Sequence, residues 1–294
     1  MNEPAIRFRE ALQAVYGPLD WLPLASGTIQ RFHVPGDRVG THNGWYVLFA
    51  DKVAAGAFGS WKTGQAHHWS SGGELSAVEV EQMRQRIEHA KRQREAEQHQ
   101  RQQQAAKLAR RWWDNARRAD PAHSYLARKH VRRHGLRQRG GELLVPLYLG
   151  GELANLQRIA LDGSKRFLWG GRITGCSSPL GNIAPGGRLY VCEGWATGAS
   201  LHESTGHPVA CAMNAGNLKA VALVLRAKYG AGVELVIAGD DDRQSEGNPG
   251  RTAANAAAVA AGALVVFPDW PSDAPATLSD FNDLHCWNRP HAHA

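Results

Sequence analysis

The ten residues VELVIAGDDD, positions 233–242, set a nearly unbroken apolar run directly against three consecutive aspartates. An apolar run of that length, closed by a glycine and acids, reads as a strand buried on both faces, the kind that parallel sheets use. The same texture recurs on either side of it. Leu189 to Cys192 reads as a short strand, Trp195 to Ser204 as a helix, Val209 to Met213 as a strand and Leu218 to Lys228 as a helix. Beyond the aspartates, Arg251 to Ala261 reads as an alanine-rich helix and Leu264 to Phe267 as a closing strand. Strands alternating with helices predict an α/β fold over residues 187–294, a parallel sheet flanked by helices.

The rest of the chain has a different texture. Residues 1–72 read as a small α/β unit, with a short helix carrying Phe8, Leu12 and Val15 on one face. A hairpin follows, from Gly44 to Phe49 and from Ala54 to Trp61 around a turn at Asp51-Lys52. Trp21, Trp45, Trp61 and Trp69 are either core aromatics of this unit or platforms for single-stranded bases. Ser76-Ala-Val-Glu79 has the pattern of a capping box. It opens a charged run without Gly or Pro to about Arg118, predicting a long solvated connector helix over 73–118. Residues 119–186 form a basic segment, expected to be helical from Asp114 to Arg139 apart from Pro121 and Gly135. After Gly140-Gly141 come antiparallel strands at Leu143 to Leu149, Leu153 to Ile159 and Lys165 to Leu168, joined by Gly150-Gly151 and Asp162-Gly163 turns.

Charge follows the same division. The formal net charge is +7. Arg84 to Arg139 holds 17 Lys/Arg against 5 Asp/Glu, an excess of 12, so the remainder is net acidic by 5. A basic middle beside an acidic C-terminal region predicts a polyanion-binding stretch next to a cation-binding one. The four cysteines, Cys176, Cys192, Cys211 and Cys286, form no CxxC or CxxH pair, so neither a structural zinc site nor a disulfide framework is expected. No apolar run is long enough to cross a bilayer, and the N-terminal residues lack a signal pattern, so no membrane partner and a cytoplasmic location are expected.

The carboxylates carry the chemistry. Glu193 directly follows the first strand of the α/β region, and Asp240, Asp241 and Asp242 follow the third. Ligands in open α/β sheets bind at the carboxyl ends of strands, so these acids converge on one edge. Asp280 and Asp283 can reach the same edge through a loop after the last strand. Clustered carboxylates repel unless a cation intervenes, and an all-oxygen donor set favours Mg²⁺ or Mn²⁺. Glu193, Asp240 and Asp242 are the expected catalytic and metal-holding residues, with Asp280 and Asp283 as further ligands. Asp241 reads as a solvent-facing loop residue.

At these positions the chain resembles the Toprim domain shared by DnaG-type primases, topoisomerases and related nucleases. The resemblance rests on Val191-Cys-Glu193-Gly194, a strand ending in Glu-Gly, and on Val236-Ile-Ala-Gly-Asp240-Asp-Asp242, a strand ending in Asp-x-Asp. It extends to DnaG-type primases of plasmid, phage or integrative-element type. Leu144-Val-Pro146, Lys165-Arg-Phe167 and Gly170-Gly-Arg172 are similar to their basic subdomain, and Arg243, Gly250-Arg251 and Asp280-Phe-Asn-Asp283 to their later motifs.

The resemblance implies a DNA primase: a nucleotidyltransferase that builds short primers on single-stranded DNA from nucleoside triphosphates during mobile-element or phage replication. Lys165, Arg166, Arg172 and Arg243 would hold nucleic acid or nucleotide. Glu193 would be a metal ligand or a general base. A replicative helicase is the implied partner, with the helix from Ser76 as its docking element. Thr197 departs from the family, which usually has an aspartate there, so one metal site would be weaker or completed by Asp280 or Asp283. The rival readings are a standalone Toprim nuclease and a non-catalytic nucleic-acid-binding accessory protein. A topoisomerase would need a tyrosine nucleophile on a further large domain, and no P-loop for an ATPase-linked nuclease occurs.

Overall fold

A computed structural model describes residues 3–37, 39–50, 53–63, 65–72 and 77–291. The expected turn at Asp51-Lys52 and the expected cap Ser76 lie outside them. The chain forms two compact units, Met1–His99 and Gln100–Ala294.

In the first unit, α1 (Glu3–Tyr16) presents Ala5, Phe8 and Leu12, spaced three and four apart, to the core. Val15, in the last turn of the helix, is 43% exposed instead. Strands β1 (Gln30–Phe32), β2 (Gly44–Phe49), β3 (Ala55–Ser60) and β4 (Ala66–Ser70) form an antiparallel meander in sequence order. Three of the four tryptophans are structural. Trp45 is buried, Trp21 stacks on Tyr46 with ring centroids 5.4 Å apart, and Trp69 meets Phe8 edge-on at 5.3 Å. Trp61 stays half exposed beside Trp45.

The long helix α2 (Ala77–Asn115) runs through the basic stretch. Its last turns place Ala109, Trp112 and Trp113 against Leu144, Leu153, Leu156 and Leu168. Leu144, Leu153 and Leu156 belong to a five-stranded antiparallel sheet, and Leu168 directly follows its last strand. The sheet is built from β5 (Arg117–Arg118), β6 (Arg137–Arg139), β7 (Glu142–Leu149), β8 (Glu152–Ile159) and β9 (Lys165–Phe167), hydrogen-bonded in that order. The segment expected to be helical from Asp114 to Arg139 is helical only at its start and over α3 (Ser124–Lys129), with β5 and β6 around it. Pro121 precedes α3, and His130 in the left-handed region ends it, so no longer helix can form.

The last layer is a second five-stranded sheet. Its strands are β10 (Ser178–Leu180), β11 (Arg188–Cys192), β12 (Val209–Cys211), β13 (Glu234–Ala238) and β14 (Leu264–Val266), in the order β10-β12-β11-β13-β14. All pairs are parallel except β10–β12. The antiparallel edge strand β10 has no counterpart in the sequence reading. Three residues with a central proline give no strand signal, and an edge is where such a strand is tolerated. Helix α4 (Trp195–Thr205) covers one face, and α5 (Leu218–Tyr229) with α6 (Pro249–Ala261) covers the other.

Alternation along each strand feeds both cores. Leu189 and Val191 join Val221, Ile237 and Ala257, while Tyr190 and Cys192 join Trp195 and Ala199. Each fully buried Val or Ile is worth about 1.5–3 kcal/mol. Cys176, Cys192 and Cys211 are buried free thiols and Cys286 is half-buried. Helix α7 (Phe281–His291) closes the chain against α4 and α3. Among the described residues no helix is long and apolar enough to cross a membrane.

Candidate active site: a carboxylate cluster at the switch point of the parallel sheet

Strands β11 and β13 are neighbours from which the chain leaves in opposite directions, so a crevice opens at their carboxyl ends. Glu193 follows β11 and Asp240 to Asp242 follow β13, both at this edge. Asp280 ends the loop that follows β14, as expected, and Asp283 comes on the helix after it. Asp280 stands just ahead of α7 and accepts the Asp283 N–H at 2.8 Å, and Asp283 lies in the first turn. A short apolar linker rich in proline and aspartate hid this helix start from the sequence reading.

Five acids interact electrostatically at this edge. Burial pushes the Asp240 carboxyl up to about 8, helped by repulsion from Glu193, Asp280, Asp242 and Asp283. Glu193 is raised by burial and then by Asp242 and Asp280, although the Ala215 N–H and Lys165 pull it down. Asp280 is raised by burial and by Asp283, against hydrogen bonds from Asp283 and Thr197 and attraction from Lys129. The Thr197 side chain, 1% exposed, thus reaches the Asp280 carboxylate from the position where the resembling family has its own acid.

Asp242 is set by the start of α6. Its Oδ2 accepts the Gly250 N–H at 2.9 Å, and its own N–H donates to Asn248 Oδ1 at 3.0 Å. Asn248 also caps α6 by accepting the Arg251 N–H at 3.2 Å, with Pro249 at the first helical turn. Gly250 is required here, since a methyl group on it would lie 2.6 Å from the Asp240 carbonyl oxygen.

Asp241 corrects the expectation of a surface residue. It is 3% exposed, ion-paired to Arg251 at 2.6 Å, and bonded to Asn248 and to Trp270 Nε1 at 3.1 Å. These partners, Arg251 first, hold its carboxyl down at about 2.

Two lysines balance the acids. Lys165, at the start of β9, is an exposed residue, yet desolvation and Lys129 lower the pKa of its ammonium while Asp280, Glu193 and Asp240 raise it. Its Nζ lies 5.8 Å from the Tyr125 ring centre. Lys129, at the end of α3, is 3.4 Å from Asp283 Oδ1. The sequence reading missed Lys129 and Tyr125. Both come from a segment far from the acidic motifs, and only the packing of α3 against α7 brings them in.

The remaining basic candidates sit outside the cluster. Arg166 is exposed on β9. Arg172 is exposed, with its Nε on the Thr174 carbonyl at 3.1 Å. Arg243 lies over the Trp270 ring at 4.5 Å and donates to the Pro275 and Leu278 carbonyls, which braces the segment leading to Asp280.

Does the donor set fit a divalent cation? Asp240 Oδ1 is buried without a hydrogen-bond partner, an acceptor left for something else. The side chains around it are carboxylates, the donors of hard cations. Among the described residues no group of three or more His, Cys, Asp or Glu side chains is arranged to hold a metal ion. Mg²⁺ does not require such a group, because it keeps several waters and uses one or two carboxylates.

Residues 188–289 match the family described as Toprim domain. Over most of its length the chain is similar to two Escherichia coli proteins named DNA primase TraC. One is 35% identical over 288 residues, covering 90% of this chain and 26% of that protein. The other is 32% identical over 282 residues, covering 90% of this chain and 19% of that protein. The chain therefore spans only about a fifth to a quarter of the length of these curated relatives. The crystal structure of the primase fragment of bacteriophage T7 primase-helicase protein aligns with 57% of this chain and 72% of its own, at 16% identity and a TM-score of 0.42. A bacteriophage T7 lagging-strand DNA polymerase assembly with primase domains aligns with 60% of this chain and 94% of its own, at 15% identity and the same score of 0.42. Residues 188–289 thus resemble the Toprim domain, on a chain similar in sequence to the TraC DNA primases.

Proposed function

We propose that this chain is a primase module: with Mg²⁺ or Mn²⁺ it joins nucleoside triphosphates into short primers on a single-stranded DNA template. The observation that carries this reading is the buried, unpartnered Asp240 Oδ1 among Glu193, Asp242, Asp280 and Asp283, with Lys165 and Lys129 alongside. Asp240 and Asp242 would hold the cation, with Asp280 and Asp283 assisting. A bound cation supplies charge neutralisation at the phosphates during phosphodiester formation. Glu193, whose proton affinity burial has raised, is suited either to hold the cation or to take the proton of an attacking 3′-hydroxyl. Lys165 would meet the triphosphate, and Arg166 and Arg172 the nucleic acid. Arg243 acts in this reading through the Trp270 segment it braces. A replicative helicase is the partner such a module would serve.

The rival readings, a standalone nuclease and a non-catalytic accessory protein, predict different products. The test incubates the chain with single-stranded DNA, Mg²⁺ or Mn²⁺ and labelled ribo- or deoxynucleotides, beside an Asp240→Ala/Asp242→Ala variant. Short labelled oligomers that disappear in the variant support the primase. Shortened template supports the nuclease, and DNA binding without either product supports the accessory protein.

A further inference from the structure

Trp169 stands 83% exposed although the backbone on both sides of it is fixed. It follows β9 in a turn closed by the Gly171 N–H on the Leu168 carbonyl at 3.2 Å. Leu168 before it is buried and donates its N–H to the Leu156 carbonyl at 3.1 Å. Behind it, Gly171 lies so close to the buried Asn155 that a methyl group there would come within 2.4 Å of the carboxamide. Asn155 Nδ2 also donates to the Arg172 carbonyl at 3.1 Å. The turn is thus fastened to β8 before and after the tryptophan, and the indole is held outward by the fold. An aromatic side chain of this size can bury 150–250 Å², so an indole held outward is a ready stacking surface.

The surroundings say what would cover it. The stretch KRFLWGGR, residues 165–172, has three cations and no carboxylate, and Lys165, Arg166 and Arg172 are all exposed. Next to Trp169 in the chain come Gly170 and Gly171, so the apolar feature is one ring and not a patch of the size a protein partner needs. One aromatic plane among cations is the recognition set of single-stranded nucleic acid, where a base stacks and the cations track phosphates. Lys165 senses Asp280, Glu193 and Asp240, and it lies four positions before Trp169, at most about 14 Å of chain away.

We infer that Trp169 is a base-stacking site for the single-stranded template, a few nucleotides from the carboxylate cluster, with Arg166 and Arg172 on the neighbouring phosphates. The inference rests on the primase reading above. Its test is the binding, by fluorescence anisotropy, of a short labelled single strand and of the same strand made abasic at its centre. Each is titrated with the whole chain, with Trp169→Ala and with Trp169→Phe, after circular dichroism melting has shown the variants folded. Trp169→Ala should weaken binding of the intact strand roughly 5- to 100-fold. Trp169→Phe should recover part of the loss, and the abasic strand should not distinguish the three proteins. Equal binding of the intact strand by the alanine variant, or an equal loss on both strands, overturns the stacking site and leaves the primase reading standing. Failure of the unmodified chain to bind either strand removes the primase reading itself.

Discussion

Arg251 meets the buried Asp241 carboxylate edge to edge, Nε on Oδ1 at 2.6 Å and Nη2 on Oδ2 at 3.1 Å. With Asn248 and Trp270 on the same carboxylate, this pair ties α6 and the 270–278 segment to the end of β13. Asp241 is therefore a strut between two acids of the candidate site. Asp241→Ala should cost about 2–3 kcal/mol, since it leaves a charge-assisted hydrogen-bond set without its acceptor. For a domain of this size that is a drop of roughly 5–10 °C in Tm, which differential scanning calorimetry would read.

The same pair predicts a pH dependence. The folded-state value of Asp241, about 2, lies below the unfolded value near 3.9. A depressed carboxyl contributes its stability in full above the unfolded value and loses it as pH falls through the folded one. The stability difference between the parent chain and Asp241→Asn should stay constant above about pH 4 and shrink between about pH 4 and 2. Denaturant titrations at several pH values test this, and a difference still undiminished near pH 2 would refute it.

Asp240 has the opposite sign. Its value of about 8 is raised by burial and by four neighbouring acids, so from about pH 4 to 8 the folded chain keeps a proton that the unfolded chain releases, and stability falls as pH rises. Without divalent cations, Asp240→Asn should raise Tm near pH 8 by a few degrees and change it little near pH 4. Mn²⁺ should raise the Tm of the parent chain and do so much less for the variant, because ligand binding to the native state alone stabilises it. A thermal-shift series with a chelator control decides the matter.

Much of this was legible in the sequence, and the exceptions have identifiable causes. The apolar runs at Leu189 to Cys192 and Val233 to Ala238 announced their strands, because strands buried on both faces leave a continuous signal. The acids after them located the edge, because strand ends are where such sheets gather ligands. Asp241 could not be placed that way. Its burial depends on Arg251, Asn248 and Trp270, which no local pattern links to it. Lys129 and Tyr125 reach the cluster only through the docking of α3 beside α7, and β10 is too short and too close to proline to be seen.

Asn217 is another residue that sequence reading passes over. It is 3% exposed and accepts the Gly175 N–H at 2.8 Å, while its amide hydrogens are shared among the Ile173, Cys176 and Ala212 carbonyls at 2.8–3.1 Å. It therefore fastens the link between the antiparallel sheet and β10 to the end of β12. Asn217→Ala strands several buried backbone groups at once and should cost about 2–4 kcal/mol. Urea denaturation measures this, and a loss below about 1 kcal/mol would mean that water replaces the side chain.

Gly250 links the helix start to the carboxylates most directly. Its N–H holds Asp242 Oδ2 at 2.9 Å, and an added methyl group would lie 2.6 Å from the Asp240 carbonyl oxygen and 2.9 Å from Asp242 Oδ2. The first of these neighbours is backbone, so relief requires α6 to move away from the end of β13. Gly250→Ala should then cost about 1–3 kcal/mol from overpacking, despite the better helix propensity of alanine. It should also displace Asp242 and weaken the Mn²⁺-induced rise in Tm, which a change confined to helix stability would not do. If Gly250→Ala melts lower and keeps the full Mn²⁺ response, Asp242 is not held in place by α6. If it melts higher, the close approach of α6 to β13 is wrong.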